Sequence, residues 1–277
     1  GLETVPIDVE VDVASAGFPG FTVVGLASKA VEEARERVKT AIVNSGFEFP
    51  PRKITVNLAP ADLPKDGAAY DLPMALGVLL ASGQLILPAD FDLKKTFFYG
   101  ELSLDGTLRP TRGILLLALF AQSQGNGRVI FIPEISANEA SVVAGIKVYP
   151  VKTLKDLITH LLGTDKIAPL KPKIISEEVE FLGPEFDLLE VAGQEQAKRA
   201  LIIAASGGHN LLMSGTPGAG KSILAESIIS ILPDATTEES IEKTKVWSAA
   251  GLAQNGLIHI RPFRAPHHSA SVISIIG

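Results

Sequence analysis

The stretch Gly215-Thr-Pro-Gly-Ala-Gly-Lys221-Ser222 decides how the second half of this 277-residue chain folds. It matches G-x-x-x-x-G-K-[ST], a loop that wraps around nucleotide phosphates and needs a strand before it and a helix after it. Leu211-Leu212-Met213 is typical of such a strand, and the apolar positions that follow the loop recur at helical spacing. We therefore predict a strand over Asn210–Met213 and a helix over Ser222–Leu232.

The residue types in the loop fit the chemistry of a nucleoside triphosphate. Glycine lets the backbone approach a phosphate without a Cβ clash, and amide groups at a helix N-terminus form an anion site. Lys221 can neutralise the β- and γ-phosphates, and the Ser222 hydroxyl can bind Mg²⁺. The alternative is a glycine-rich turn with an accidental lysine. We expect ATP and Mg²⁺ as ligands, with the candidate contacts Gly215, Thr216, Pro217, Gly218, Ala219, Gly220, Lys221 and Ser222.

An acid that would support hydrolysis is absent from its usual place after an apolar strand. Asp234 directly follows the helix of the loop, and Glu238 and Glu239 have no apolar strand before them. We expect the Walker B acid, the polar sensor and any arginine finger to lie beyond residue 277. This fragment alone should then hydrolyse ATP negligibly.

The first half of the chain carries alternating signals for strands and helices. Val5 to Val13 alternates in polarity with period two, which predicts a half-buried strand. Further strands are predicted over 21–24, 54–58, 129–132 and 146–151, and Asp105-Gly106 predicts a tight turn. Helices are predicted over 31–42, 71–82 with Asp71 as the cap, 112–123, 136–144 and 153–162, and the second domain begins with a helix predicted over 194–205. The fold class is α/β, with one domain over 1–163, a proline-containing linker over 164–185 and a second α/β domain over 186–277.

Composition excludes several functional classes. The chain has no cysteine, so disulfides, thiol catalysis and cysteine-bound zinc are ruled out. Hydrophobic residues make up 46% of the chain, but no apolar run reaches the ~20 residues of a membrane span. The net charge of −6 argues against a large basic surface for nucleic acid, although not against a local basic patch. We expect a cytoplasmic protein without membrane contact, and both ends of the sequence look cut.

The segment before the loop resembles the corresponding segment of AAA+ ATPases. It reads Asp187-Leu-Leu-Glu-Val191-Ala-Gly193-Gln194. In AAA+ proteins an aliphatic backbone segment at this place lines the base pocket, which implies that Val191 and Ala192 contact adenine. An ordinary helix entry is the alternative.

The first domain resembles the proteolytic domain of Lon. The similarity lies in Leu58 to Asp71, with its Pro64-Lys-Asp-Gly67, and in Gly100 to Pro110. Lon uses a serine nucleophile and a lysine base, but here the nucleophile position falls on Ala69 and the lysine position falls near Leu115. Neither side chain can do that chemistry. The resemblance implies a Lon-like fold without protease activity, in which Lys65 and Asp66 are turn residues.

Nearly the whole chain resembles the magnesium chelatase-like AAA+ ATPases of the YifB/ComM type. The shared motifs are Gly17-Phe-Pro-Gly-Phe-Thr-Val-Val-Gly25, Asn44 to Phe49, Thr55 to Asp62, the phosphate loop and Arg261-Pro-Phe-Arg-Ala-Pro-His-His-Ser269. The resemblance implies a homo-oligomer, a hexameric ring in the full-length protein. In the ComM branch it implies a DNA helicase that promotes branch migration. A chelatase-type chaperone or protein-remodelling ATPase is the alternative, and DNA-stimulated hydrolysis would separate the two.

The last of these motifs holds a small basic and aromatic cluster. Its members are Arg261, Phe263, Arg264, His267 and His268. One interpretation is contact with DNA in a ring pore, for which Arg261 and Arg264 are the candidates. The other is packing within the ATPase fold or between subunits. A metal site at His267 and His268 is the weakest option, because adjacent histidines rarely converge on one ion.

Overall fold

The computed structural model describes residues 4–172, 186–252, 257–259, 261–267, 269–271 and 273. Within the chain two compact units are formed. The first comprises residues 1–175 together with 243–257, and the second comprises 176–242 together with 258–277.

A three-stranded sheet with order β1-β3-β2 forms one half of the first unit. Its strands are β1 (Asp8–Val13), β2 (Gly20–Val24) and β3 (Lys53–Ala59), with β3 antiparallel to β1 and parallel to β2. The side chains of β1 alternate between exposed and half-buried, as the period-two pattern predicts. Helices α1 (Lys29–Asn44) and α2 (Asp71–Ala81) belong to the same core.

A second, fully parallel sheet has the order β4-β7-β8. Its strands are β4 (Thr96–Phe98), β7 (Val129–Pro133) and β8 (Lys147–Val151). The predicted tight turn is confirmed between β5 (Glu101–Leu102) and β6 (Leu108–Arg109), where the Ser103 amide donates to the Thr107 carbonyl at 2.8 Å. Helices α3 (Ile114–Ser123) and α4 (Leu154–Leu161) complete the unit, with 3-10 helices at Leu93–Lys95 and Glu134–Val142.

Three helix predictions need correction in detail. The helix predicted over Ser222–Leu232 is α-helical only over residues 221–226 and continues as a 3-10 helix over residues 227–231. Asp71 does not cap α2: it is the first helical residue, Tyr70 occupies the cap position, and the Asp71 side chain is fully buried against Arg37. The predicted helix at 136–144 is a 3-10 helix that begins at Glu134. By contrast, the buried face predicted for α1 is confirmed at every residue. It consists of Val31, Ala34, Val38, Ala41 and Ile42.

The predicted linker, 164–185, begins within the first unit. Ile167 and Leu170 pack on its two hydrophobic clusters, and the Leu170 amide donates to the Val148 carbonyl at 2.7 Å. The Ile167 amide donates to Nδ1 of His160 at 2.9 Å. Residues 167 and 170 are therefore bound to α4 and β8, and residues 173–185 lie outside the described part of the chain.

The second unit packs short helices around Leu188, Leu201 and Leu224. The helices are a 3-10 turn (Leu188–Glu190), α5 (Glu195–Gly207), α6 (Lys221–Glu226), a 3-10 continuation (Ser227–Ile231) and α7 (Thr237–Ala250), whose residues from 243 onward belong to the first unit.

The predicted strand over Asn210–Met213 is not formed. Its residues have no regular secondary structure, no described strand of this unit lies beside them, and Leu212 is 93% exposed. A strand requires a neighbour for its hydrogen-bond ladder, so local sequence alone could not produce one here.

The fold class is α/β, as predicted, with parallel strand pairs in both sheets of the first unit. In the part of the chain that the structure describes, the helices fall short of the length and apolarity that crossing a membrane would require.

Candidate nucleotide site

The phosphate loop leads directly into α6. Gly218 and Gly220 have φ angles of +80° and +81°, and the Leu224 amide donates to the Gly220 carbonyl at 3.0 Å. A side chain at either glycine would strain this left-handed backbone by about 1–2 kcal/mol. The amides at the start of α6 lack intrahelical partners, as at any helix N-terminus, so they can donate to an anion.

Lys221 folds back over the loop. Its Nζ donates to the carbonyl oxygens of Gly215 at 3.0 Å and of Thr216 at 2.7 Å. The ammonium is therefore held where the loop curls, and oxygen atoms of a ligand can replace these neutral carbonyls as acceptors. The Ser222 side chain follows on the exposed side of the first turn of α6.

A cavity of about 460 Å³ adjoins the loop. Its volume lies in the range of small-molecule sites. The loop contributes Gly218, Ala219 and Gly220, and the segment upstream of α5 contributes Val191 and Ala192. The structure thus brings together the two stretches that the sequence singled out for phosphate and for base. The other lining residues are Phe186, Asp187, Glu190, Gln194, Ile223 and Leu224.

Local interactions fix the upstream segment beside the loop. The Asp187 side chain accepts from the Leu189 amide at 2.9 Å and starts the 3-10 turn, while the Leu188 amide donates to Ser230 Oγ at 3.0 Å. Val191 then packs against the core that Leu224 of α6 helps to form. Ser230 and Leu224 both follow the loop in sequence, so the wall formed by Val191 is attached to the helix that presents the loop.

Glu239 has a structural role that sequence reasoning missed. Its carboxylate accepts from the Thr236 amide at 2.9 Å, and its own amide donates to Thr236 Oγ1 at 3.2 Å. This is a capping box at the start of α7, and Thr236-x-x-Glu239 is the signature that could have revealed it.

Arg261 is bound to that same carboxylate. Its NH2 donates to Glu239 Oε2 at 2.9 Å, and its Nε donates to the Pro233 carbonyl at 2.7 Å. The packing interpretation of Arg261 therefore has contacts to support it. Arg264 and His267 are exposed residues, and His268 lies outside the described residues. No group of three or more possible metal-binding side chains occurs among the residues that the structure describes.

The positions that match the Lon dyad lie in the core of the first unit. Ala69 is 7% exposed and Leu115 is fully buried. Lys65, which was expected to be a turn residue, is instead 1% exposed. Its Nζ donates to the Pro60 carbonyl, and its backbone pairs with Ala27.

Comparison with known proteins shows the family of the chain. Two family models of the magnesium chelatase subunit ChlI match the chain, one over residues 9–135 and the other over 187–277. The competence protein ComM of Haemophilus influenzae is 46% identical over the whole chain, and the uncharacterised protein YifB of Escherichia coli is 41% identical. The chain belongs to the magnesium chelatase-like family of the ComM/YifB type. This is an AAA+-type ATPase family, whose members in general use nucleotide and Mg²⁺.

The chain spans about half the length of these relatives, 54% of ComM and 53% of YifB. A more distant likeness covers part of the chain: Lon protease 2 of Bacillus subtilis is 26% identical over 171 residues, which is 56% of this chain and 30% of that protein.

Proposed function

We propose that this chain is the ATP-binding part of a ring-forming AAA+ ATPase. The observation that carries the proposal is the single cavity whose wall is formed by Gly218–Gly220 on one side and Val191–Ala192 on the other. A nucleotide needs both surfaces at once: amide donors and a cation for the phosphates, and an apolar wall for the base.

In this proposal Lys221 holds the terminal phosphates. The ammonium exchanges the Gly215 and Thr216 carbonyls for phosphate oxygens, which are charged and therefore stronger acceptors. The amides of the loop add further donors without moving, because the left-handed glycines already shape the curve.

Ser222 is the residue that would bind Mg²⁺. Its hydroxyl is on the exposed first turn of α6, immediately after Lys221, so it can reach an ion bound between the phosphates. The ion would neutralise phosphate charge when bound. The acid that activates water is proposed to come from residues that this chain does not include.

Calorimetric titration of the chain with Mg·ATP and Mg·ADP tests the proposal. Binding should weaken at least tenfold in Lys221→Ala, because a charge-assisted contact to phosphate is lost. Lys155→Ala, an exposed lysine on α4 of the first unit, is the matched control and should bind as wild type does. Equal affinity in Lys221→Ala and wild type would remove Lys221 from the site.

We further propose that the full-length protein is a DNA-translocating ring. The relative ComM is named a competence protein, and the motif from Arg261 to Ser269 places two arginines close together in sequence. In a hexamer such a pair would be repeated around one channel, so that weak phosphate contacts act together.

A protein of the relatives' length is needed to test the DNA proposal. Arg264→Ala should weaken DNA binding about equally across sequences and reduce its salt dependence, while nucleotide affinity stays unchanged. Arg261→Ala should do the same, but it also removes the contacts to Glu239 and Pro233. If DNA binding persists while assembly or nucleotide binding is lost, both arginines are packing residues.

The likeness to Lon protease 2 favours a second candidate, an ATPase that acts on protein. For this candidate the first unit would be a Lon-like domain that contacts polypeptide without cutting it, because Ala69 and Leu115 offer no nucleophile or base. Casein should remain uncut by the chain. Cleavage that is abolished by a substitution within residues 60–120 would overturn this assignment, and DNA-independent hydrolysis stimulated by unfolded protein would favour remodelling over translocation.

A further inference from the structure

A phenylalanine side chain lies in solvent at the tip of the loop between β1 and β2. Phe18 is 93% exposed. The Ala14 amide donates to the Lys53 carbonyl at 2.9 Å, which closes one end of the loop. The Gly20 amide donates to the Arg52 carbonyl at 3.3 Å and closes the other end. The loop therefore presents a large apolar side chain from a fixed base, and burial of that side chain would be favourable.

The first unit also contains an apolar cavity of about 440 Å³, which is in the range of small-molecule sites. Phe97 and Phe120 line it, and their rings meet edge to face with centroids 5.7 Å apart. Val5 and Leu93 also line it and are 50% and 48% exposed, so the cavity opens to solvent. A phenyl ring suits such a cavity, because aromatic rings pack well against one another at tilted and edge-to-face angles.

The exposed ring and the cavity lie at opposite ends of one strand. Residues 4–9 line the cavity at the beginning of β1, whereas the loop that holds Phe18 follows Val13 at its end. The stretch from Val9 to Val13 alone is ~13 Å long at ~3.3 Å per residue. Strand β2 starts at the same end as Val13, with Gly20 only two residues after Phe18. A contact between ring and cavity therefore needs two copies of the chain.

Surfaces at opposite ends of a strand suit a head-to-tail contact. Each copy then uses its loop towards one neighbour and its cavity towards the other. A contact of this kind repeats from copy to copy and either closes into a ring or continues as a filament. Two copies that exchange their loops about a two-fold axis would instead stop at a dimer.

The charges near the two surfaces are compatible with this docking. Asp8 lies at the rim of the cavity and is exposed. Arg52 and Lys53, at the base of the loop, are exposed cations. Opposite charges on facing surfaces steer encounter and fix orientation. Lys94 lies elsewhere on the rim, so the base of the loop should approach from the side of Asp8.

We propose that Phe18 of one copy inserts into the cavity of the next copy, and that this contact joins neighbouring first units in the ring. That a ring exists rests on the proposed function, whereas the contact itself requires neither nucleotide nor the phosphate loop. One aromatic side chain in an apolar pocket is the kind of contact that contributes most of the binding energy in many interfaces.

Sedimentation equilibrium of the 277-residue chain measures the contact. The weight-average mass of the wild type should rise with concentration beyond that of a dimer. Phe18→Ser should weaken this association by about tenfold or more, because burial of a phenylalanine side chain is lost. Ile135→Ser, at a 69% exposed residue that belongs to neither surface, is the matched control and should associate as the wild type does.

Variants at the mouth of the cavity test the other side of the contact. Val5 precedes β1 and is half exposed, so Val5→Trp should block the mouth without disturbing the core. Leu93→Glu puts a charge at the same mouth and is a second blocking variant. Both should lose association as Phe18→Ser does, while their urea midpoints stay close to that of the wild type.

A mixture of two variants distinguishes this contact from a general loss of association. Phe18→Ser keeps its cavity and Val5→Trp keeps its phenyl ring, so each mixed pair has one usable contact. An equimolar mixture should form dimers and nothing larger, although neither variant associates alone. A wild-type chain that stays monomeric or stops at a dimer would overturn the proposal, and so would a mixture that stays monomeric.

Calorimetric titration of the same samples with Mg·ATP separates this proposal from the proposed function. Phe18→Ser and Val5→Trp should bind Mg·ATP as the wild type does, because the contact lies in the first unit and the phosphate loop in the second. Wild-type association that survives in both variants would refute the contact and leave the ring and the nucleotide site standing. Association that depends on Phe18 in a chain that binds no nucleotide would support the contact and refute the proposed function.

Discussion

Arg37→Ala should destabilise the first unit more than any surface substitution would. The Asp71 carboxylate has a fully buried side chain and accepts from Arg37 Nε at 2.7 Å, from Arg37 NH2 at 3.0 Å and from the Leu102 amide at 3.2 Å. Removal of the guanidinium leaves one donor for a buried charge. Breaking a buried pair on one side costs ~3–5 kcal/mol, and we expect about 3 kcal/mol because the Arg37 side chain is 23% exposed.

Urea denaturation is the appropriate assay, with the fluorescence of Trp247 as the probe. Trp247 is the only tryptophan and belongs to the first unit. The double variant Arg37→Met/Asp71→Leu is the control: it removes both charges and should lie within about 1 kcal/mol of wild type. A loss below about 1 kcal/mol in Arg37→Ala would show that the pair contributes little.

The pH dependence gives an independent check of the same reasoning. Burial raises the pKa of the Asp71 carboxyl even beside Arg37, and removal of Arg37 should raise it further. A group with a raised folded pKa favours folding below its unfolded pKa and loses that contribution as the pH rises through the folded value. The deficit of Arg37→Ala should therefore shrink as the pH falls from 7 to 5. A deficit that is constant with pH would refute the assignment to a stranded carboxylate.

Three further predictions concern other parts of the chain. Burial lowers the pKa of His160, with Lys166 as a smaller cause. The neutral imidazole therefore contributes stability above its unfolded pKa of ~6.5, and this contribution is lost as the pH falls through the folded pKa. The urea midpoint of the wild-type chain should drop between pH 7 and 5 in a step that is absent from His160→Gln and present in the control His209→Gln. Thr236→Ala should cost about 1 kcal/mol through loss of the capping box, with increased exchange in the first turn of α7, and equal protection in both proteins would exclude the cap. Gly218→Ala should weaken Mg·ATP binding about fivefold to thirtyfold, because φ is +80° there, whereas an alanine at Gly215, which has no left-handed angle, should matter less.

Much of the first unit could be predicted from the sequence because its signals are local. The apolar spacing of α1 and the alternation of β1 report directly which face each element buries. The tight turn at Asp105-Gly106 follows from residue chemistry within five positions.

What the sequence could not show depends on residues that are far apart in the chain. Asp71 looks like a cap until Arg37, 34 positions earlier, takes its carboxylate. The hydrogen bond from Ser248 Oγ to Glu139 Oε2 joins residues that are 109 positions apart, and no periodic pattern connects them. The apolar run over Asn210–Met213 predicts a strand, but pairing is not local, and no described strand lies beside it.

The candidate site also combines features that could be predicted from the sequence with features that could not. The loop Gly215–Ser222 could be singled out residue by residue from its motif, and its binding of phosphate stays a prediction. That Val191 and Ala192 share a cavity with the loop was implied only by a family resemblance, and the structure shows the contacts responsible, through Leu188 and Ser230. The capping role of Glu239 is also local, since Thr236-x-x-Glu239 is the signature of a capping box, but the sequence analysis missed it.

One measurement tests most directly whether the loop and the Val191–Ala192 wall form a single nucleotide site. Affinities of the wild-type chain for Mg·ATP and for Mg·tripolyphosphate, which lacks base and sugar, are compared with those of Lys221→Ala and Ala192→Met. Ala192 is exposed and lines the cavity, so the longer methionine side chain should fill the base end without disturbing the core. We predict that ATP binds at least tenfold more tightly than tripolyphosphate, that Lys221→Ala weakens both ligands, and that Ala192→Met weakens ATP alone. Equal affinity for the two ligands, or an Ala192→Met chain that binds ATP as wild type does, would contradict the account.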